Sequence, residues 1–180
     1  MRNSLQRIFA LAPSTSTSQE SGMSSAECQA LRQLLLLTQA EAGSWIGNVT
    51  ERSWQYWESG KRPVPEDVAV KLRSVAKERF EHVDAALLEL STGARPVSVW
   101  YQSARDWQWR SAPDEKPWAW KLHNSIAAEL CARQAITLVP FDPESFAAWS
   151  KGRKPVTADA KGKEHLRWAI EQLPGSGDFQ

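Results

Sequence analysis

Arg52, Gln55, Tyr56 and Ser59 fall at spacings of 3, 4 and 7, so a helix running through them carries all four on one side. They are hydrogen-bonding groups of a length suited to the base edges of a DNA major groove. Trp54 and Trp57, three apart, take the opposite side and supply large apolar area. Lys61-Arg62 follow directly after Gly60. The chemistry this pattern suggests is recognition rather than catalysis. No nucleophile–base pair, metal-ligand cluster or phosphate-cradling glycine loop stands at a recognisable spacing, so no catalytic residue, metal ligand or cofactor is expected.

Such a face needs a scaffold, and the segment from Thr38 to Arg62 reads as two short helices joined by a tight turn, a helix-turn-helix of the phage-repressor type. Thr38 and Glu41 stand in the capping-box relation that defines a helix start. Ala42, Trp45 and Ile46 form an apolar face, with Gly43 beside them. Gly47 is expected to end this helix in the left-handed conformation, with Asn48-Val49 as the turn. Thr50 caps the second helix, which buries Trp54 and Trp57 and stops at Gly60. A hairpin of this kind also describes ordinary core packing. The ordered string Thr-Gln-x-Glu, small residue, terminal glycine, then Trp-Glu-x-Gly-Lys-Arg is what favours DNA binding.

The flanks suggest a mainly α chain in four parts. Residues 1–22 end in LAPSTSTSQESG and are expected to be a disordered leader; Met23 is a second candidate start. Residues 23–93 form the helix-turn-helix domain. In it Ser24 and Glu27 open a helix through a second capping box, and Cys28, Leu31, Leu34 and Leu35 are its core positions. Pro65 begins a helix without a breaker to Leu90, with Glu66 and Asp67 near its positive end. Val68, Leu72, Val75, Val83 and Leu87 form its stripe, and Gly93 and Pro96 close it. Its 26 residues, roughly 39 Å, exceed what a four-helix domain needs and make it a bridge to a second domain or a partner subunit. Residues 94–150 are expected to be a small α+β dimerisation domain. It would comprise an alternating strand at Val97, Val99 and Tyr101, a polar tryptophan-rich stretch, a helix from Trp120 to Gln134, a strand in ITLVPF at 136–141 and a helix from Pro143 to Trp149. Residues 151–180 are expected to be a basic linker and tail, with a last helix over His165 to Leu173.

Composition bounds the function. Charged residues make up 24% and no apolar run could span a bilayer, so a cytoplasmic protein with no membrane partner is expected. Cys28 and Cys131 are far apart and are read as buried free thiols. A net charge of +1 argues against generic nucleic-acid binding and puts specificity on base contacts. Ten tryptophans could form a stacking platform, but without regular spacing they read better as core and interface.

The residues carry a closer likeness as well. Glu27-Cys28-Gln29-Ala30-Leu31-Arg32, then Ser53-Trp54-Gln55-Tyr56-Trp57-Glu58-Ser59-Gly60, then Trp120-Lys121-Leu122 with Ser125-Ile126-Ala127-Ala128-Glu129-Leu130 resemble the YdiL-like family, which includes anti-CRISPR-associated (Aca) autorepressors. The resemblance spans roughly Met23 to Phe141. It implies a homodimer that binds an inverted repeat in double-stranded DNA through the N-terminal domain, dimerises through the C-terminal one, and represses its own operon. By position in the motif, Arg52, Gln55 and Tyr56 would read bases, and Gln39, Lys61 and Arg62 would hold phosphates. Trp45, Trp54, Trp57, Glu58 and Gly60 would be structural, with Glu58 paired to Arg32. Gly43, where such motifs usually carry alanine, departs from the pattern, as do the leader and everything after about Asp142. Two other functions stay open at this point: an antitoxin-like module whose second half grips a heterologous partner, and an RNA-binding regulator.

Overall fold

The computed structural model describes residues 22–90, 95–108, 116–153 and 158–173. The leader up to residue 21, Gly93, Trp109 and the tail from 174 lie outside them. Among the described residues the chain is mainly helical with one small parallel sheet. Its elements are α1 (Ser25–Leu34), α2 (Gln39–Ala42, continued by a wider π-helical turn over Gly43–Gly47), α3 (Glu51–Glu58), α4 (Glu66–Glu89), β1 (Val97–Trp100), α5 (Ala104–Gln108), α6 (Ala119–Ala132), β2 (Thr137–Pro140), α7 (Pro143–Ser150) and α8 (Ala158–Glu171). No helix among the described residues is long and apolar enough to cross a membrane.

The first core gathers Cys28, Leu35, Leu37, Ala42, Ile46, Trp54, Trp57, Val68 and Leu72 from α1 to the first half of α4. Burial pushes the Cys28 thiol up to about 11. Ser24 caps α1 by accepting from the Glu27 amide, and the carboxylate of Glu27 also pairs with Arg73 of α4. Past α1 the chain reverses at Leu36, whose φ of 57° turns Leu36 outward and Leu37 into the core. The side chain of Arg32 holds the reversal, donating to the Leu37 carbonyl at 2.7 Å.

Helix α4 runs for 24 residues, with Pro65 just before its first turn. The expected stripe is present: Val68, Leu72, Val75 and Val83 are buried and Leu87 is half-buried. Its surplus length lies along α6, where Val83 meets Ala127, Leu130 and Ile136 in a separate core cluster. Within this chain, then, α4 bridges to the second half.

In that half β1 and β2 pair in parallel, Val97 opposite Thr137 and Val99 opposite Val139. Parallel strands need a long crossover, and α5 and α6 lie within it. Val99 and Tyr101 face a core with Trp107, Trp120, Phe141, Phe146 and Trp168. Two expectations change here. The polar tryptophan stretch contains α5, which puts Trp107 inside. The last helix begins at Ala158 rather than His165, and its His165, Trp168 and Ala169 are almost fully buried against Tyr101, Phe141 and Phe146. From His165 on, this helix is packed against the second core. The reason is apolar area: Tyr101 and Phe141, just past the ends of the two strands, need a cover, and Trp168 supplies it. Every described tryptophan is buried or half-buried.

Candidate nucleic-acid interface

Helix α3 begins where the Thr50 hydroxyl accepts from the Ser53 amide. Its inner face holds Trp54, fully buried, edge-on to Trp57 with ring centroids 5.5 Å apart. The turn before it departs from expectation in one detail. The left-handed residue is Asn48, with φ 50°, rather than Gly47. Because α2 ends in a widened turn, the backbone of Val49 and Thr50 folds over Gly43. A Cβ on Gly43 would stand 3.0 Å from the Val49 carbonyl oxygen. That closeness accounts for glycine where alanine is usual.

The outer face carries Arg52, Gln55 and Ser59 exposed, with Tyr56 half-exposed. The Arg52 Nε donates to the Tyr56 hydroxyl at 2.9 Å. Gly60, with φ 72°, turns the chain back so that Arg62 N donates to Tyr56 O. The reversal brings Lys61 and Arg62 to the phenol that Arg52 already meets from one turn earlier on α3. Arg52, Lys61 and Arg62 lie 5.8, 5.7 and 5.2 Å from the Tyr56 ring centroid. Such cation–π contacts are weak at exposed sites, so they preset the side chains without locking them.

Glu58 anchors α3. Its carboxylate, on a side chain only 3% exposed, accepts two bonds from Arg32 of α1, one from Gln39 of α2 at 2.8 Å and one from Trp54 Nε1 at 2.6 Å. One buried anion thus joins three helices. The expected Arg32 pairing is there, but Gln39, expected at a phosphate, has its amide engaged with Glu58 and, at 3.3 Å, with Gln55. Gln55 also reaches Glu51 at 3.4 Å. The i,i+4 spacing of Trp54 and Glu58 was the local signal for this hub; the parts played by Gln39 and Arg32 depend on tertiary approach.

Burial alone would raise the Glu58 carboxyl, but the bonds from Arg32, Gln39 and Trp54 outweigh it and hold the group below its ordinary value of 4.5. A folded value lower than the unfolded one means the hub stabilises fully above 4.5 and loses its contribution as pH falls through the folded value. We predict that acid will lower the melting temperature of the parent in this range more steeply than that of Glu58→Gln. Equal acid slopes in the two would contradict the hub.

The second half is docked onto this unit through α6. Trp118 and Leu122 pack on the first core, and Lys121 pairs with Glu41 of α2 at 3.4 Å. Of the Trp120-Lys121-Leu122 string, Lys121 and Leu122 face this unit, whereas Trp120 is buried in the second core; Ser125 bonds to the Leu34 carbonyl of α1, and Ala127 and Leu130 meet Val83 of α4.

A family model described as Aca2/YdiL-like matches residues 23–139. The chain belongs to this family. Among its relatives, the Aca2 repressor of Pectobacterium phage ZF40 is 40% identical over 106 residues, covering 59% of this chain and 90% of the relative. The uncharacterized protein YdiL of Escherichia coli strain K12 is 30% identical over 111 residues, covering 61% of this chain and 94% of YdiL. The Aca2/YdiL-like match takes in the whole α1–α6 assembly and most of β2, whereas α7 and α8 lie beyond it.

Proposed function

We propose that this chain is a sequence-specific DNA-binding transcriptional repressor that binds an inverted repeat as a homodimer and controls its own operon. The observation that carries this reading is the outer face of α3. Arg52, Gln55 and Tyr56 are presented together by a helix whose opposite side is anchored by Trp54, Trp57 and Glu58. The repressor named among its relatives supports it.

Arg52 can take guanine bidentately and Gln55 adenine, the pairings that major-groove geometry favours. Lys61 and Arg62, exposed at the end of α3, hold phosphates. Gln39 would join them only by exchanging one of its present bonds. With so few cations, affinity should fall gently with salt, since the slope scales with the phosphates neutralised. One helix covers few base pairs, and a two-fold dimer doubles the site, with half-sites about 34–36 Å apart. Exposed apolar side chains on α4 (Phe80, Leu88) and α8 (Leu166, Ile170) favour self-association.

Repression follows by occlusion, a bound dimer excluding polymerase. A reporter fused to the native upstream region, with and without the protein supplied in trans, tests this. Several-fold lower expression with the protein is expected. Unchanged expression would remove the autoregulator reading.

A further inference from the structure

Arg79 lies in the middle of α4 and is only 3% exposed. Its Nε donates to the Ser125 hydroxyl at 2.6 Å and its Nη2 to the Ser125 carbonyl at 3.1 Å. The same Nη2 stands 2.6 Å from a Glu129 carboxylate oxygen. The Ser125 hydroxyl in turn donates to the carbonyl of Leu34, the last residue of α1. One guanidinium and one hydroxyl therefore tie together α1, α4 and α6.

Stability alone is a poor reason for this arrangement. Apolar residues of similar volume often stabilise as well as a buried ion pair. Here Nη1 of Arg79 is buried without a hydrogen-bond partner among the described residues, an added cost. What directional bonds supply, and the neighbouring Val83, Ala127, Leu130 and Ile136 contacts do not, is a single relative orientation. Apolar surfaces can slide, whereas a bidentate guanidinium cannot without breaking bonds.

We infer that Arg79 and Ser125 are positioning residues for DNA recognition, fixing the angle between the α1–α3 reading unit and the second half and hence the spacing of half-sites the dimer accepts. This rests on the dimeric-repressor reading above. The lever is half the separation of two recognition helices, roughly 17 Å. A swing of about 10° at the seam moves each helix by ~3 Å, close to the 3.4 Å rise of one base pair. A loose seam would leave base contacts intact and blur register.

The test is selection of binding duplexes from a random library by the full chain and by Ser125→Ala and Arg79→Met, with thermal melts alongside. The parent should select an inverted repeat at one spacing. The variants should select the same half-site sequence, with the preference for that spacing over its neighbours reduced about tenfold or more, a ratio equal to 1.4 kcal/mol. Ser125→Ala removes one oxygen and keeps the result readable if Arg79→Met does not fold. Variants with the parent's spacing preference would overturn the inference and leave the repressor reading standing. A parent that selects no repeat would remove the repressor reading, and the inference with it.

Discussion

Trp54→Ala is expected to melt far below the parent, with a loss of about 3–5 kcal/mol, the usual cost of emptying a buried aromatic site. Two effects act in the same direction. The fully buried indole fills the space between α1, the α2 turn and α3, and its edge-to-face contact with Trp57 is lost with it. Removing Nε1 also takes one donor from the Glu58 carboxylate, a nearly buried anion that then leans harder on Arg32 and Gln39. Since domains of this size are held by roughly 5–15 kcal/mol, much of the margin goes. Trp54→Phe separates the effects, keeping most of the packing while losing the N–H, and should fall between the two. Denaturant titrations of the three proteins measure this. A Trp54→Ala midpoint equal to the parent's would mean that the inner face of α3 carries little of the stability.

The second large effect should leave the fold untouched. Arg52→Ala removes an exposed guanidinium whose recorded contacts are with the Tyr56 ring and hydroxyl, so circular dichroism and melting should stay near the parent. Specific DNA binding should nevertheless collapse. A bidentate arginine–guanine contact discriminates by about 1–3 kcal/mol, and a two-fold dimer makes it twice. The combined loss of about 2–6 kcal/mol corresponds to a factor of roughly 30 to more than 10,000. Gel shifts against the selected duplex and a random one would show it, with the weak non-specific component held by Lys61 and Arg62 little changed. Operator affinity equal to the parent's would move base reading away from this residue.

These two substitutions lie on opposite faces of one eight-residue helix, and that division was already legible in the sequence. The caps at Thr38 and Thr50, the stop at Gly60 and the separation of Trp54 and Trp57 from Arg52, Gln55 and Tyr56 all depend on residues within one or two turns of each other. Short-range spacing is enough to determine them. The strings at 27–32, 53–60, 120–122 and 125–130 likewise carry the family membership in the sequence itself.

What only the tertiary structure decided depends on residues far apart in the chain. Arg79 is held in its buried place by Ser125, 46 residues on, which itself reaches back 91 residues to Leu34. Gly43 could be seen as a departure, but its reason is the carbonyl of Val49, brought over it by a widened turn that no local pattern announces. Gln39 is expected at a phosphate from its place in the motif, and only the approach of α3 shows that its amide is also bonded to Glu58 and Gln55. A last helix over His165 to Leu173 could be expected, but not that its His165 and Trp168 close the core over Tyr101, 64 residues before His165. Local spacing determines which face a side chain takes on its own helix. Which surface that face then meets is set by the competition for buried area among distant segments, and a pattern of period 3.6 carries no record of it.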